Sequence, residues 1–216
     1  MRERRSCMRE RTEQEFFWEG EFGGAYINRN RDEQLKASSI SLFAKIFSKT
    51  NRVQTVMEFG ANIGMNIQAI HLLLPDAALS ALEINEKAVM ELRKIQNLQV
   101  HHQSLFDYQG TTPFDFVFTR GVLIHLNPEY LEQASDVLYQ SSHRYVCIAE
   151  YYNPKPVELS YRSHTGRLFK RDFAGEMLER YPDLMLVDYG FIYHRDGNFP
   201  QDDITWFLME KTGGGI

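Results

Sequence analysis

The chain has little of what disulfide-stapled, membrane-spanning or nucleic-acid-binding proteins need. Its two cysteines, Cys7 and Cys147, stand in a charged segment and an apolar run, so we expect neither a disulfide framework nor a cysteine metal site. No apolar stretch approaches the roughly 18 residues of a membrane span, and no secretory segment is visible, which favours the cytoplasm. The net charge of −5 lacks the basic excess that is typical of nucleic-acid binders.

Hydrophobic residues make up 43% of the 216 positions, which suits one domain with a substantial core. Residues 1–13 carry arginines and almost nothing apolar, so we expect a disordered basic tail there. The glycine-rich residues 212–216 are expected to be flexible. Residues 14–211 then form a single domain, and its helical opening segment, residues 14–47, is predicted to act as a lid.

Strand-like and helix-like segments alternate after residue 47. Short apolar runs predict strands at 53–59, 79–84, 98–102, 114–119 and 145–150, and amphipathic patterns predict helices at 66–74, 86–96, 129–141 and 170–181. Such alternation indicates βαβ units with a mostly parallel sheet. Residues 185–194 and 204–211 are two further strands, and their short connection makes them an antiparallel hairpin. We therefore predict an α/β, Rossmann-like sheet of seven mostly parallel strands that ends in an antiparallel hairpin.

A glycine turn, residues 58–64 (EFGANIG), follows the first predicted strand. A strand, a tight turn and a helix start together form a nucleotide site, where glycine lets the backbone approach the ligand. The dinucleotide fingerprint G-x-G-x-x-G is not satisfied, because Asn62 and Met65 occupy its second and third glycine positions. The turn therefore favours a ligand without a pyrophosphate. Together with the terminal hairpin it indicates a class I methyltransferase that binds S-adenosylmethionine.

The ends of the next strands supply the rest of the predicted cofactor site. Glu83 ends the second strand, where a carboxylate accepts hydrogen bonds from the ribose hydroxyls of a nucleoside. Residues 103–107 follow the third strand and are expected around the adenine. The residues predicted to bind S-adenosylmethionine are Trp18, Tyr26, Arg29, Glu58, Gly60, Ala61, Asn62, Gly64, Glu83, Ile84, Ser104, Leu105, Phe106, Thr119 and Gly121. No metal ion is expected.

Three polar, aromatic connectors, residues 119–128, 151–170 and 194–203, are expected at the carboxyl edge of the sheet, where such folds bind ligands. His125 and Tyr151 are the candidates that take or orient a proton of a methyl acceptor. A histidine bonded to the backbone at a helix start is the competing interpretation of His125. The residues predicted to bind the substrate are Tyr152, Asn153, Arg162, His164, Arg167, Lys170, His194 and Asp203. Their basic cluster suits an anionic or polyhydroxylated ligand, with a solvated loop as the alternative.

Several blocks of the sequence resemble the methylases associated with pseudaminic acid biosynthesis. They are residues 17–23 (FWEGEFG), 26–30 (YINRN), 58–64 (EFGANIG), 121–125 (GVLIH), 148–154 (IAEYYNP) and 202–207 (DDITWF). The likeness extends from about residue 15 to 211, and the later blocks are more specific than the glycine turn. His125 is also similar to the histidine that lies beside the amine in sugar-amine N-methyltransferases.

This resemblance implies S-adenosylmethionine as the methyl donor and a small-molecule acceptor, with N-methylation of an amino-sugar or nonulosonic acid derivative of the pseudaminic acid type. O-methylation of another small metabolite and a non-catalytic S-adenosylmethionine-binding protein are the two alternatives. Neither a nucleic acid nor a membrane is expected as a partner. The sequence contains no indication of the oligomeric state.

Overall fold

The computed structural model describes residues 9–27, 33–161 and 164–213, without the side chains at positions 160, 161, 164 and 165. The helices are α1 (Glu13–Glu19), α2 (Glu21–Tyr26), α3 (Glu33–Phe47), α4 (Met65–Leu73), α5 (Glu86–Leu92), α6 (Leu131–Ser141) and α7 (Phe173–Arg180). The strands are β1 (Thr55–Phe59), β2 (Ala78–Glu83), β3 (Leu98–His102), β4 (Phe114–Arg120), β5 (Ser142–Glu150), β6 (Val157–Tyr161), β7 (His164–Lys170), β8 (Leu184–Ile192) and β9 (Ile204–Lys211). Among the helices described, none has the length and apolar character needed to cross a membrane.

Seven strands form the main sheet in the order β3-β2-β1-β4-β5-β9-β8. Strands β1 to β5 pair in parallel, whereas β9 pairs antiparallel with both β5 and β8. The predicted fold class is confirmed, including the C-terminal hairpin. The strand order reverses between β1 and β4, and open α/β sheets bind their ligands at such a point.

Helices cover both faces of the sheet, which is why its central strands are nearly continuous apolar runs. On one face, Phe43 of α3 and Ile67 of α4 join the cluster that contains Phe118 of β4. On the other face, Leu138 of α6 and Met177 of α7 join the cluster on the opposite side of the same strands. All five side chains are almost completely buried. This core fixes the strand ends, and with them the loops at the carboxyl edge.

A second sheet, the antiparallel pair β6–β7, was not predicted. We expected residues 151–170 to be an irregular connector, and this expectation was wrong. The alternating apolar and polar residues of VELSY at 157–161 are typical of a strand. The predicted helix 170–181 also begins too early. Lys170 ends β7, and α7 begins at Phe173 because the Asp172 carboxylate accepts a hydrogen bond from the Gly175 amide.

The helical opening segment contains α1, α2 and α3, and α1 and α2 meet at Gly20. Helix α1 begins with a capping box, in which Thr12 accepts from the Glu15 amide and Glu15 accepts from the Thr12 amide. Residues 9–12, which we assigned to a disordered tail, make specific contacts, including an ion pair between Arg9 and Glu15. Residues 1–8 and 214–216 of the two expected tails lie outside the described residues.

Candidate functional site

A cavity of about 680 Å³ opens at the carboxyl edge of the main sheet. Its floor is formed by the ends of β1, β2 and β4, and its walls by α1, α2 and the connection between β8 and β9. The volume lies within the range of small-molecule sites, which occur at this edge in open α/β folds.

The cavity brings most of the predicted cofactor residues together. Those that line it are Trp18, Tyr26, Gly60, Ala61, Asn62, Glu83, Ile84, Ser104, Leu105, Phe106 and Gly121. The predicted catalytic residues His125 and Tyr151 line the same space, as does His194. Segments at the ends of six strands, β1 to β5 and β8, therefore converge on one cavity.

Three predicted cofactor residues do not line the cavity. The Thr119 hydroxyl is fully buried and donates to the Phe59 carbonyl, which ties β4 to β1. Gly64 has a φ of +80° at the start of α4, where an added Cβ would lie 2.6 Å from the Ile95 Cδ1. It permits the close packing of α4 against its neighbours. Glu58 is buried beneath the cavity floor and acts through Asn66, as described below. Arg29 lies outside the described residues.

Most of the predicted substrate residues also lie away from the cavity. Tyr152 packs against Phe207 on the outside, and the Asn153 amide bonds to the Lys155 carbonyl. The remaining side chains pack on neighbouring aromatic or charged groups, namely Arg167 on Phe17 and Glu13, Lys170 on Tyr151, and Asp203 on His194. They follow the β6–β7 hairpin or the outer rim rather than the interior. Arg162 and the side chain of His164 lie outside the described residues.

The turn after β1 needs glycine at its first position. Gly60 has a φ of +79°, and an added Cβ would lie 2.4 Å from the Val122 Cγ2. The amides of Gly60 and Ala61 both donate to the Leu82 carbonyl, at 2.8 and 3.0 Å, and so join the turn to β2. The turn therefore packs tightly between β2 and the residues after β4, and its backbone lines the cavity at Gly60 and Ala61.

The Glu83 carboxylate is held in place entirely by backbone donors. One oxygen accepts from the Asn62 amide at 2.7 Å, and the other accepts from the Ile84 and Asn85 amides, both at 2.8 Å. Burial raises the pKa of Glu83, and these three hydrogen bonds to the charged form act against the rise. The result is a carboxylate with fixed orientation at the end of β2.

A polar network that the sequence analysis did not identify lies at the junction of β1 and β4. The Asn66 amide nitrogen donates to Glu58 at 2.7 Å, and its oxygen accepts from Arg120 at 2.7 Å. Arg120 also donates to the Ser39 hydroxyl and to the Gln201 side-chain oxygen. Burial raises the pKa of Glu58 to about 8, so this carboxyl is largely protonated at pH 7.

The geometry of His125 defines its protonation. Its Nδ1 lies 2.7 Å from the Arg167 carbonyl oxygen, which only accepts, so Nδ1 carries the proton and Nε2 the lone pair of the neutral ring. Burial lowers the pKa of His125 to about 4, which keeps the ring neutral at physiological pH. The Trp18 ring packs on the imidazole with 4.7 Å between centroids. The backbone bond and the cavity position are therefore compatible features of one residue.

The turn that presents His125 is held by Glu150, the last residue of β5. Its carboxylate accepts hydrogen bonds from the backbone amides of Val122, Leu123 and Ile124, at 2.9 to 3.4 Å. Glu150 is 2% exposed, and burial raises its pKa to about 7 against the effect of these bonds. The carboxylate thus fixes the backbone immediately before the candidate catalytic histidine.

Helix α1 closes one side of the cavity through Glu15, which we had not singled out. Burial raises the pKa of this carboxyl, but hydrogen bonds from Arg9, Ser104 and the Thr12 backbone outweigh burial and bring the pKa to about 2. The Arg9 guanidinium also lies 5.1 Å from the Phe106 ring centroid. This contact joins the start of the chain to the loop predicted to surround adenine.

Some of the residues missed had a signal in the sequence, and others did not. Arg120 ends β4 at the binding edge, and Asn66 lies in the first turn of the helix after the glycine turn, so the strand-end rule would have found both. Glu15 and Gln201 reach the cavity through tertiary contacts that no local pattern encodes. Within the described ranges, no group of three His, Cys, Asp or Glu side chains is arranged to share a metal ion.

No family model matches the chain, and no curated protein matches it. Among solved structures it is similar to magnesium protoporphyrin IX methyltransferase ChlM from Synechocystis PCC 6803, with 14% identity, 94% of this chain and 99% of that chain covered, and a TM-score of 0.65. It is similar to the amino pentose methyltransferase CalS10 from Micromonospora echinaspora, with 10% identity, 88% and 96% covered, and a TM-score of 0.62.

A third similar structure is the Burkholderia thailandensis 1,6-didemethyltoxoflavin-N1-methyltransferase, with 14% identity, 88% and 83% covered, and a TM-score of 0.64. At these identities the similarity is one of fold. The chain has the Rossmann-like methyltransferase fold.

Proposed function

We propose that this protein is an S-adenosylmethionine-dependent methyltransferase that acts on a small polar metabolite. The observation that carries the proposal is the pairing of the glycine turn at Gly60 with the fixed Glu83 carboxylate in one cavity. A nucleoside with an amino-acid tail fits such a pair. Its ribose hydroxyls would meet the carboxylate, and its tail would pass the backbone of the turn after β1.

The residues around the remaining part of the proposed cofactor site agree with this assignment. Leu105 and Phe106 provide apolar surface for an adenine, and Ser104 lies at the same rim. Trp18 and Tyr26 approach from α1 and α2, which supports the proposal that this segment is a lid. The side-chain amide nitrogen of Asn85 anchors the proposed lid by donating to the Trp18 backbone carbonyl at 3.0 Å.

When bound, S-adenosylmethionine supplies a methyl group on a sulfonium that is already a good leaving group. The protein then mainly has to position an acceptor, and a near-attack geometry supplies ~7–11 kcal/mol of the barrier. His125 lines the cavity as a neutral ring with the lone pair on Nε2, so its imidazole would orient or accept a proton of the acceptor nitrogen. Tyr151 lines the same space and is the second candidate for this role.

As the acceptor we propose an amino-sugar or nonulosonic acid derivative of the pseudaminic acid type, methylated on nitrogen. The resemblance of residues 121–125 and 148–154 to the methylases of that pathway supports this choice. So does the similarity of fold to an amino pentose methyltransferase. A neutral histidine in the cavity suits an amine acceptor, because the amine must present a lone pair.

The first test is calorimetric binding of S-adenosylmethionine to the wild type and to Glu83→Ala. We expect wild-type binding that weakens at least tenfold in the variant, which corresponds to ~1.4 kcal/mol. Glu86→Ala is the matched control, because it removes an exposed carboxylate outside the cavity and should bind like the wild type. Absence of binding to the wild type would overturn the methyltransferase proposal.

The acceptor is then tested by incubating the protein with S-adenosylmethionine and a panel of amino sugars, and by mass analysis of the products. We expect a product that is heavier by one CH2 unit and whose NMR spectra place the transferred methyl group on nitrogen. A methyl group on oxygen would replace the N-methylation proposal by O-methylation. Cofactor binding without turnover on any acceptor would favour the non-catalytic binding protein.

A further inference from the structure

Arg120 is the cationic side chain that reaches the cavity from the junction of β1 and β4. It ends β4, lines the cavity and is only partly accessible. Burial lowers the pKa of its guanidinium, since the charged form is separated from bulk water. A cation in this position needs a compensating partner.

The partners that the described chain gives Arg120 are neutral oxygens. Both hydrogens of Nη1 are used, at 3.1 Å to the Ser39 hydroxyl and 2.7 Å to the Asn66 amide oxygen, and one hydrogen of Nη2 goes to Gln201. Three segments, α3, the start of α4 and the connection between β8 and β9, thus hold the guanidinium in one orientation. Hydrogen bonds among the described residues leave Nε and the second hydrogen of Nη2 available.

The nearest acidic groups do not pair with Arg120. Glu58 interacts with it electrostatically but reaches it through Asn66, and its pKa of about 8 leaves it mostly neutral at pH 7. Asp202 lines the cavity, is exposed and interacts with Arg120 electrostatically, but no hydrogen bond or ion pair within the described residues joins the two side chains. Tyr26 and Tyr151 also interact electrostatically with the guanidinium.

We propose that Arg120 binds a carboxylate group of a ligand in the cavity. Two donors, one on Nε and one on Nη2, are the number that a bidentate carboxylate requires, and the network of neutral oxygens fixes the guanidinium plane in advance. The carboxylate comes either from the methionine part of S-adenosylmethionine or from the methyl acceptor. This inference rests on the proposed function and names the residue that selects acidic ligands.

The test compares matched ligands with and without a carboxylate on the wild type, Arg120→Gln and Arg120→Lys. The first pair is S-adenosylhomocysteine and 5′-methylthioadenosine, which lacks the amino-acid part. The second pair is N-acetylneuraminic acid and its methyl ester, measured with the cofactor site saturated. Arg144→Gln is the control, because it removes a guanidinium that pairs with Glu210 at the opposite end of β5.

If the carboxylate belongs to the cofactor, the wild-type preference for S-adenosylhomocysteine over methylthioadenosine should fall at least tenfold in Arg120→Gln. If it belongs to the acceptor, that ratio stays constant, and the preference for the acid over its ester falls by the same factor. Arg120→Lys keeps the positive charge but loses the planar guanidinium, so its ligand preference should lie between those of the wild type and Arg120→Gln. Thermal unfolding confirms that each variant is folded, and the lysine variant alone suffices should the glutamine variant unfold.

The proposal is overturned if both preferences persist in Arg120→Gln and Arg120→Lys, or if the wild type shows neither preference. Failure of the wild type to bind S-adenosylhomocysteine at all would instead contradict the proposed function. In that case the acid and its ester are compared on the protein alone, and a wild-type preference for the acid that persists in both Arg120 variants overturns the Arg120 proposal, so the two failures are distinguishable.

Discussion

The two halves of the cavity are built in different ways. Under the β1 and β2 ends, the cavity wall is made by a short turn whose Gly60 and Ala61 amides bond to the backbone of the next strand, at the Leu82 carbonyl. Beside the β4 and β5 ends, it also contains side chains that reach across the fold, as Arg120 does to Gln201 and His125 to the Arg167 carbonyl. The first half joins neighbouring strand ends, whereas the second depends on segments that are more distant in the sequence.

This difference indicates a division of labour. A half held by adjacent strand ends stays the same when distant loops change, which suits a common nucleoside cofactor. A half assembled from β6–β7 and the connection between β8 and β9 can change its lining without disturbing the sheet, which suits a variable acceptor. Substitutions in the two halves should therefore separate cofactor binding from turnover.

The largest effect is expected from His125→Ala. Loss of the Nε2 lone pair should lower turnover by roughly 10²–10⁴-fold, with cofactor affinity unchanged. The matched variant His125→Asn retains an N–H donor toward the Arg167 carbonyl and should be equally inactive, and His143→Ala at the opposite edge of the sheet should be fully active. Steady-state kinetics with calorimetry checks this, and wild-type turnover in His125→Ala would refute the assignment.

The same residue predicts a pH dependence of stability. Its folded-state pKa of about 4 lies below the usual value near 6.5, so its contribution is complete above pH 6.5 and is lost as the pH falls through 4. Between pH 7 and 4 the wild type should therefore lose roughly 2–3 kcal/mol more stability than His125→Asn, as measured by urea unfolding. Equal losses would show that the imidazole is not buried as a neutral ring.

A smaller effect on turnover is expected from Glu150→Gln. The glutamine side chain has one acceptor oxygen fewer than the carboxylate, so at least one backbone N–H of residues 122–124 loses its acceptor. An unsatisfied buried group costs about 1–3 kcal/mol. We expect kcat to fall roughly ten- to a hundredfold, while KM for the cofactor stays within a factor of about two. If cofactor binding weakened by the same factor as kcat, the division between the two halves would be contradicted.

Three glycines give a graded test of the cofactor half. Gly60→Ala combines a left-handed φ with a contact of 2.4 Å to Val122, and Gly121→Ala has the left-handed φ of +65° alone. Gly197→Ala has neither and serves as the control. Losses of roughly 2, 1 and 0 kcal/mol are expected in thermal unfolding. A neutral Gly60→Ala would show that the turn after β1 is not as tight as described.

The smallest effect concerns the proposed lid. Arg9→Gln removes the ion-pair partner of Glu15. Because Arg9 is partly exposed, we expect the loss of this pair to cost about 0.5–1 kcal/mol. Cofactor affinity should fall two- to fivefold. The control Arg11→Gln, which removes the partner of the more exposed Glu19, should leave affinity unchanged. Identical affinities for all three proteins would exclude a role for this contact in closing the cavity.

The sequence predicted the cofactor half better than the acceptor half for a physical reason. Gly60 follows β1 directly and Glu83 ends β2, so the apolar pattern of each strand and the position of its end were sufficient to locate them. Lys170 and Arg167 lie in a basic connector and were therefore predicted at the site, whereas that connector folds into β6–β7 and packs their side chains on Tyr151 and Phe17, outside the cavity lining. Side chains that reach a site through a neighbouring element leave no local pattern.

The roof of the cavity also sets an order for the assembly of the molecule. Gln14 donates to the Gly166 carbonyl, and Arg167 pairs with Glu13, so α1 rests on a hairpin that lies more than 150 positions later in the chain. During synthesis the first helix therefore lacks part of its docking surface until the last third of the polypeptide has emerged. Contacts of such separation form late and open first, so amide protons of α1 should exchange before those of the sheet.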